Sequence, residues 1–566
     1  MNTKFLRRTL PILGGVILLS SFWGEKKPHR MPYRAAGLTE KQAAAHLLSR
    51  FTYGATPGQV EEVARMGLEK WFEQQLMADL PEDSLDAQLA PFDALKLSNE
   101  QIAGIYPKNG QVIRMAVRDG IIDKDSIKTD KKGYRETIRE YMDKKGYKPE
   151  GELFRQLYCQ KILRAAYARN QLREVMTDLW FNHFNVSVTK NDCAQFIPVY
   201  ERDIIRPGAL GKFGDLLKAT AHSPAMLYYL DNFSSSGPMD STRLMARLVR
   251  RAQGLNENYA RELMELHTLG VDGGYTQQDV TQAARVLTGW TVRQNEFLFT
   301  SNRHDKGLKT VLGKNFGPDG GEDEGVQLLD MLAHHPSTAH FICRKIAVRF
   351  VNDNPPSTLV DRMAKTFLEK DGDIRQVLLT MVYSPEFWST QAVREKTKSP
   401  FELAIGAVRS LHATVGQPMQ LYNWINRMGE KLYCYQAPTG FPDKGQYWIN
   451  TGSLLSRMNF GLALATGRIP GVSFDLGALN NNHEPESTQA ALVTYCHLIM
   501  PERDLDPTIK RLTPMLNDPG LPEKVNAADG QKADAETTMT TAAVPSAGTL
   551  TQVVGIIIGS PEYQRR

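Results

Sequence analysis

Apolar side chains recur at intervals of three and four residues over most of this chain, which is the spacing of one face of an α-helix. Residues 152 to 184 are a clear example, and their apolar positions run in this period up to a histidine: Leu172, Val175, Met176, Leu179, Trp180 and His183. The pattern predicts a mostly α fold and places His183 on the buried side of its helix.

Strand-like patterns are scarce. Residues 297–300 and residues 310–312 are short apolar runs that could pair with each other as one hairpin. We therefore expect a large multi-helix single unit with long loops and at most a small β-hairpin.

A repeated phrase separates several of the predicted helices. An apolar run ends and Ser-Pro follows at residues 223–224, 384–385 and 560–561, and Ser-Pro recurs at residues 399–400. Serine is a favoured helix N-cap and proline a favoured first helical residue. Glu402, three residues after the last of these serines, would complete a capping box. We expect a helix to begin at each Ser-Pro.

The N-terminus has the pattern of an export signal. Lys4, Arg7 and Arg8 precede an apolar run over residues 9–23, which is short for a comfortable membrane span. Residues 1–30 are therefore predicted to be a signal peptide or an uncleaved N-terminal anchor, and a twin-arginine signal remains open. Either alternative places the protein in the periplasm or cell envelope.

Residues 31–566 are predicted to form a single helical domain. Within it, residues 108–150 are Lys-rich and weakly apolar, which is typical of a solvated, charged insertion. Residues 520–548 are rich in Ala, Thr, Asp and Gly and are expected to form a flexible loop. Residues 549–566 are predicted to be a C-terminal helix.

Composition narrows the function classes. A net charge of +5 over 566 residues is small, and no nucleic-acid-binding motif is present, so we expect no nucleic-acid partner. The five cysteines are far apart and contain no Cys-x-x-Cys pair, which argues against a disulfide framework or a thiolate zinc site, although one disulfide remains open. The dinucleotide, Walker A, Gly-x-Ser-x-Gly and His-Glu-x-x-His motifs are all missing.

Residues 256–276 hold the densest group of chemically useful side chains. The first fourteen of these residues are predicted to form one helix, with His267 on its apolar side and Arg261, Glu262 and Glu265 on its polar side. The same pattern also describes an ordinary surface helix with ion pairs between residues four apart.

Two further groups could join that helix in a shared pocket. His183 follows Asn182, and the sequence around His304 brings His304, Asp305 and Lys309 together in a loop. The hypothesis is one internal site with the catalytic candidates His183, Glu262, Glu265, His267, His304 and Asp305 and the substrate-binding candidates Asn182, Asn258, Arg261 and Lys309. Inward histidines are, however, more often hydrogen-bonded core residues than catalytic groups.

A divalent metal is an open possibility for the same residues. Histidine and carboxylate together are a common ligand set for zinc or iron. Residues 317–324 are acidic and Gly-rich and could hold a hard cation, but their spacing does not match an EF-hand.

Several phrases of this chain resemble a bacterial exported family catalogued as "domain of unknown function 1800". They are residues 46–56, 180–184, 256–270, 275–276, 287–290, 304–305, 309, 312–313, 398–400 and 440–443. The resemblance covers about residues 40 to 566. It implies export and a single helical unit, and it implies no established activity. Members are often encoded near a second exported family that resembles sulfatases and phosphatases, which suggests a partner of that type.

Two function classes remain open on this basis. One is a hydrolase-like enzyme with a His/carboxylate site in its helical core, because no redox or nucleotide motif is present and hydrolysis of a polymer or ester suits an exported protein. The other is a non-catalytic envelope scaffold, or a binding protein for an exported partner or glycan. Membrane contact is expected only through the N-terminal segment, if it is uncleaved.

Overall fold

The computed structural model describes residues 30–123, 131–190, 193–238, 254–501, 504–516 and 548–566. The predicted N-terminal signal or anchor and the predicted loop over residues 520–548 therefore lie outside the described residues, except for the last residue of each. The statements that follow concern the described ranges.

Helices dominate the first half of the chain. In chain order they are α1 (Glu40–Phe51), α2 (Gln59–Met66), α3 (Leu68–Met77), α4 (Asp83–Leu89), α5 (Asn99–Ile105), α6 (Asn109–Arg118), α7 (Lys131–Lys145), α8 (Glu150–Tyr167), α9 (Gln171–His183), α10 (Ile197–Val199), α11 (Arg206–Gly208), α12 (Phe213–Ala221), α13 (Pro224–Tyr229), α14 (Asn258–Glu262) and α15 (Gln277–Val286).

The second half continues in the same way. Its helices are α16 (Glu322–Ala333), α17 (Pro336–Phe350), α18 (Ser357–Glu369), α19 (Ile374–Val382), α20 (Pro400–Ser410), α21 (Pro418–Arg427), α22 (Thr451–Ala465), α23 (Leu476–Leu479), α24 (Thr488–Ile499), α25 (Asp506–Leu516) and α26 (Thr549–Gly559). The prediction of a mostly α fold is confirmed.

Three small antiparallel pairs complete the structure. Strand β1 (Trp290–Arg293) pairs with β2 (Glu296–Phe299), β3 (Lys309–Val311) with β4 (Lys314–Phe316), and β5 (Thr414–Val415) with β6 (Val472–Ser473). The predicted hairpin between residues 297–300 and 310–312 is wrong, and the limit of one hairpin was too low. The first apolar run lies mainly in β2 and pairs with β1, and the second lies mainly in β3 and pairs with β4.

The reason lies in two tight turns. Gln294 and Asn295 join β1 to β2, and Leu312 and Gly313 join β3 to β4, and all four have positive φ. Positive φ at both central residues defines the type I′ turn, whose twist matches that of a two-stranded ribbon. Only Asn295 and Gly313 are residues that favour this conformation, so the turns were weakly marked in the sequence.

Most of the buried apolar residues from Met31 to Tyr563 belong to one continuous core cluster. Its most extensive helix contact joins α22 to α26, where a Cβ added to Gly461 would lie 2.9 Å from the carbonyl oxygen of Gly555. Residues 109–147 instead pack around a small core of their own, which contains Val112 and Tyr141. The segment predicted to be a charged insertion is thus a pair of helices with a satellite core.

The Ser-Pro prediction is correct at two positions. Ser399 forms a complete capping box with Glu402 at the start of α20, and Ser223 caps α13. Ser384 is followed only by the short 3-10 helix Pro385–Trp388, without a side-chain cap. At Ser560 the prediction is wrong, because α26 ends at Gly559 and turns follow, so the C-terminal helix does not extend over residues 549–566.

The predicted helix over residues 256–269 also differs from expectation. Only Asn258–Glu262 is α-helical, and Leu263–Thr268 is a π-helix. A second π-helical segment, Tyr200–Ile205, lies between α10 and α11. Widened turns of this kind are often found near functional sites.

None of the helices in the described ranges has the length and apolar character needed to cross a membrane. All five cysteines lie in the described ranges and none forms a disulfide. The single disulfide that the sequence left open is therefore absent from the structure.

Candidate active site

His183 and His267 meet in the core, as their helical positions predicted. His183 Nε2 donates to the backbone oxygen of His267 over 3.1 Å, and the two rings lie 6.0 Å apart. Burial lowers the pKa of His267 to about 3, and burial together with Lys345 lowers the pKa of His183 well below its usual value. Both rings are therefore neutral at physiological pH.

Among the described residues, no polar side chain forms a hydrogen bond with either histidine. His183 uses a backbone oxygen, and His267 Nε2 is buried without a hydrogen-bond partner in the described part of the chain. Phe184 and Trp180 pack against the pair instead. This environment is that of core histidines.

The polar residues of the 256–276 stretch face outward from that pair. Arg261 contacts Glu257 at 3.4 Å and donates to Gln277, and Asn258 donates to the backbone oxygen of Leu230. Glu262 is half-buried, and burial, with the neighbouring Glu265, raises its pKa. These residues form a partly exposed polar face, as the surface-helix alternative described.

His304 and Lys309 belong to a third group, which is buried. His304 Nδ1 donates to the backbone oxygen of Thr288 over 2.9 Å, and its Nε2 lies 3.4 Å from the ammonium of Lys309. Lys309 forms an ion pair with Glu324, which the sequence had not indicated. A buried charged pair of this kind satisfies its own charges.

Asp305 is held beside this group by an arginine. Its two carboxylate oxygens accept from the Nε and Nη2 of Arg285 over 2.7 and 3.1 Å. Burial alone would raise the pKa of Asp305, but Arg285 and the Gly307 amide outweigh it and the pKa is lowered. Asp305 is thus an ionised, structural carboxylate that ties α15 to the loop before β3.

The candidate residues form three separate groups of contacts in the described ranges. Within the described ranges, no hydrogen bond or ion pair joins the His304 group to the histidine pair, or either of them to Glu262 and Glu265. The described residues also contain no group of three or more His, Cys, Asp or Glu side chains placed to hold a metal ion. No direct contact in the described part of the chain therefore supports the single-site hypothesis, which stays a prediction.

Asn182 is the candidate that leads to a cleft. Its amide donates to the backbone oxygen of Phe441 over 2.8 Å, and its Oδ1 accepts from the Phe441 N–H over 2.7 Å. Gly440 has positive φ, and a Cβ there would lie 2.2 Å from the Asn182 backbone oxygen, so only glycine fits. The segment around Phe441 is thereby pinned over α9.

The cleft that this segment borders contains about 550 Å³ of space, part of it open to solvent. Its charged lining comes from five separate parts of the chain: Asp178, Arg349, Lys396, Glu402, Glu430, Asp443 and Arg566. Phe441 and Trp448 supply its apolar side.

Glu402 is the anion at the centre of this lining. It forms ion pairs with Arg349 and with Arg566, the latter at 2.8 Å. Burial would raise the pKa of Glu402, but the two guanidinium groups outweigh it and lower the pKa to about 2. Glu402 also accepts from the Ser399 N–H over 2.9 Å as part of the capping box of α20.

The other ions of the lining are neutralised by partners placed around the cleft. Asp178 pairs with Lys161 at 2.7 Å, and Asp443 pairs with Lys345 at 2.6 Å. Lys396 pairs with Asp353 and also donates to the Asp443 backbone oxygen over 3.0 Å. Lys345 is the cation that lowers the pKa of His183, so the histidine pair lies behind this rim of the cleft.

Two groups in the cleft change protonation near neutral pH. Glu430 is only 6% exposed, and burial, helped by Asp178, raises its pKa to about 7 although its Oε2 accepts from the Phe401 N–H over 2.8 Å. Burial lowers the pKa of Lys396 to about 8, against the opposing effect of Asp353. Carboxyl and amino groups with such pKa values are suited to general acid–base catalysis.

Most of these residues were missed in the sequence. Glu402 was noticed only as a capping residue, and the segments 398–400 and 440–443 only as phrases of the family resemblance. Those two phrases and residues 180–184 meet at this cleft, which is the signal that could have located it. Glu430, Lys396 and Arg349 have no local signature, because their pKa values and partners depend on distant parts of the chain.

A family model described as "Protein of unknown function (DUF1800)" matches residues 46–565, nearly the whole chain. No curated protein and no solved structure matches the chain. The chain belongs to this family, as the resemblance of its phrases indicated.

Proposed function

We propose that this protein is an exported hydrolase whose active site is the cleft between α9, α20 and the segment around Phe441. The observation that carries the proposal is Glu430, a buried carboxyl group in a water-accessible cleft with a pKa of about 7. A group of this kind can both accept and donate a proton near neutral pH. The substrate class that suits an exported member is an ester or a polymer.

The chemistry assigned to the cleft is a general-base hydrolysis. A water oxygen bonds to the reacting carbon or phosphorus atom of the substrate while Glu430 accepts a proton from that water. The bond to the leaving group then breaks, and Glu430 returns the proton to it. Arg349 supports this step, because its Nε and Nη2 are buried without hydrogen-bond partners in the described ranges and can donate to developing negative charge.

The test is a panel of chromogenic esters, phosphate esters and glycosides, assayed with the wild-type protein and with Glu430→Gln. We expect hydrolysis of one class and a loss of about 100-fold or more in Glu430→Gln, since general acid–base groups commonly contribute that much. The variant keeps the side-chain size, and its unfolding midpoint verifies that it is folded. Equal rates for the two proteins would contradict the assignment.

A second variant separates this cleft from the site expected from sequence. Glu262→Gln changes a half-buried carboxylate on the polar face of residues 256–276. The cleft proposal predicts that it retains activity, whereas the sequence-based hypothesis predicts that it loses activity. If Glu262→Gln lost hydrolytic activity and Glu430→Gln kept it, the active site would instead lie on the polar face of residues 256–276.

Export is part of the proposal and rests on the N-terminal sequence. Lys4, Arg7 and Arg8 precede the apolar run over residues 9–23, which supports a signal peptide or anchor. Cell fractionation should find the protein in the periplasm or envelope. Full-length protein confined to the cytosol would contradict this.

A second candidate function, binding of a partner protein, is favoured by one surface. Five large apolar side chains are exposed within twelve consecutive positions beside the cleft: Tyr447, Ile449, Leu454, Leu455 and Met458. Such a patch is typical of an interaction surface. The partner suggested by the family is an exported protein resembling sulfatases and phosphatases.

Size-exclusion chromatography with that partner tests the second candidate. Leu455→Glu should abolish co-elution, while Met77→Glu, at an isolated residue of equal exposure (59% against 60%), should not. Co-elution that survives Leu455→Glu would show that this surface is not the interface.

A further inference from the structure

The Glu402–Arg566 ion pair separates two cavities. One is the cleft described above. The other contains about 610 Å³, part of it open to solvent, and is lined by Thr52, Tyr53 and Tyr563 among others. Both Glu402 and Arg566 line both cavities. Arg566 is therefore a buried cation, with a side chain 5% exposed, that borders space on two sides.

The cations and anions beside the Glu402–Arg566 ion pair are not matched one to one. Asp178 and Asp443 have their own lysine partners, Lys161 and Lys345, and Lys396 has Asp353. Those ions balance one another. Two guanidinium groups then remain beside Glu402. Arg349 has a second, longer contact to Asp178 at 4.0 Å, whereas the ion pair of Arg566 is with Glu402.

The contacts to Glu402 leave the guanidinium N–H groups unused. Glu402 Oε1 lies 2.8 Å from Arg566 Nη2 and close to Arg349 Nη1, yet it has no partner with hydrogen-bond geometry. Arg566 Nε, Arg349 Nε and Arg349 Nη2 are likewise buried without a hydrogen-bond partner in the described part of the chain. Buried donors of this kind normally meet an acceptor.

The two arginines beside Glu402 differ in how fully their charge is compensated, because Glu402 and Asp178 raise the pKa of Arg349 against the effect of burial. Burial lowers the pKa of Arg566 to about 10, although Glu402 opposes the change. Arg457, which is buried behind the same group, has its pKa lowered to about 10 for the same reason. Both remain charged at neutral pH, so an additional anion here would be stabilised.

We propose that the two guanidinium groups of Arg349 and Arg566 form an oxyanion-binding subsite for a carboxylate or phosphate group of the substrate. Planar guanidinium groups bind both kinds of anion through paired N–H donors. The inference rests on the proposed function and narrows its substrate class to acidic molecules, whose anionic group would be anchored beside Glu430. Asp178, Glu402, Glu430 and Asp443 are the carboxyl groups that face this position.

The test measures anion binding directly and needs no activity. Isothermal titration calorimetry of the full chain at pH 7 uses inorganic phosphate in one arm and acetate in the other, at constant ionic strength. We expect saturable binding in at least one arm, and the stronger arm identifies the anionic group. Arg566→Lys, which keeps the charge but loses the planar fork, should weaken that binding at least tenfold.

Arg511→Lys is the matched control. Arg511 also pairs with a carboxylate, that of Glu562, but it is 42% exposed and does not line the cleft. It should bind the anion as the wild-type protein does. If Arg566→Lys does not fold, Arg349→Lys replaces it, with the same expected loss.

Two results would overturn the proposal: no saturable binding of either anion, or binding that is equal in Arg566→Lys, Arg349→Lys and the wild-type protein. Failure here is distinguishable from failure of the proposed function. Anion binding without hydrolysis would support the subsite and contradict the hydrolase proposal. Hydrolysis without anion binding would support the hydrolase proposal and contradict the subsite.

Discussion

Replacing Glu402 by glutamine is the sharpest test of how the cleft is held together. Glutamine keeps the side-chain size and can still accept from the Ser399 N–H, so the capping box of α20 survives. The change removes only the negative charge that faces Arg349 and Arg566. Any loss of stability therefore reports on the ion pairs.

The expected loss can be obtained in two ways. The fall in the pKa of Glu402 from 4.5 to about 2 corresponds to about 3 kcal/mol of stabilisation of the folded state. Breaking a buried ion pair by removing one partner commonly costs about 3–5 kcal/mol, because the remaining charge is left uncompensated. We therefore expect Glu402→Gln to lower the free energy of unfolding by about 3 kcal/mol at pH 7.

The effect also has a defined pH dependence. Because the folded pKa is lowered, the stabilisation is complete above pH 4.5 and is lost as pH falls towards 2. The difference between wild type and variant should therefore be smaller by about 1 kcal/mol at pH 3.5 than at pH 7.

Urea unfolding followed by tryptophan fluorescence at the two pH values measures this difference. Glu369→Gln is the control, because Glu369 lies 3.8 Å from Lys365 in an exposed pair that should contribute less than about 0.5 kcal/mol. A loss below about 1 kcal/mol in Glu402→Gln at pH 7 would refute the reasoning, since the charge would then be uncoupled from its two arginines.

Two further predictions concern the packing around the cleft. Ser399→Ala removes the hydroxyl that accepts from the Glu402 N–H and should cost about 1 kcal/mol, and an unchanged urea midpoint would show that the cap contributes nothing. Gly461→Ala should cost about 1–3 kcal/mol, because its Cβ would lie 2.9 Å from the Gly555 carbonyl oxygen. Gly452→Ala, in the same helix with its nearest neighbour at 3.5 Å, should change the thermal midpoint little, and equal midpoints for the two variants would contradict the close-packing argument.

The fold was largely predictable because its signals are local. Helical periodicity placed His183 and His267 on buried faces, and the capping pattern placed the start of α20 at Pro400. The predicted strand pairing was wrong because the turns are weakly marked in the sequence. Gln294 and Leu312 adopt positive φ, but glutamine and leucine do not favour that conformation.

The candidate site was less predictable because its chemistry arises from tertiary contacts. Burial turns His183 and His267 into neutral core residues, and ion pairing fixes Asp305 and Lys309 as structural charges. Burial raises the pKa of Glu430, and the nearby carboxylates of Asp178 and Glu402 add to the effect. Burial and charged neighbours of this kind come from distant parts of the chain, so the spacing of residues in the sequence does not indicate them.

The measurement that tests the central claim most directly is the titration of the Glu430 carboxyl carbon. NMR spectra of protein labelled with ¹³C at the glutamate carboxyl carbons would be recorded from pH 4 to 9, and the resonance missing in Glu430→Gln would be followed. The account predicts a pKa of about 7 for this resonance. A pKa near the ordinary glutamate value of 4.5 would contradict it, because Glu430 would then be a much weaker base towards the attacking water than the account requires.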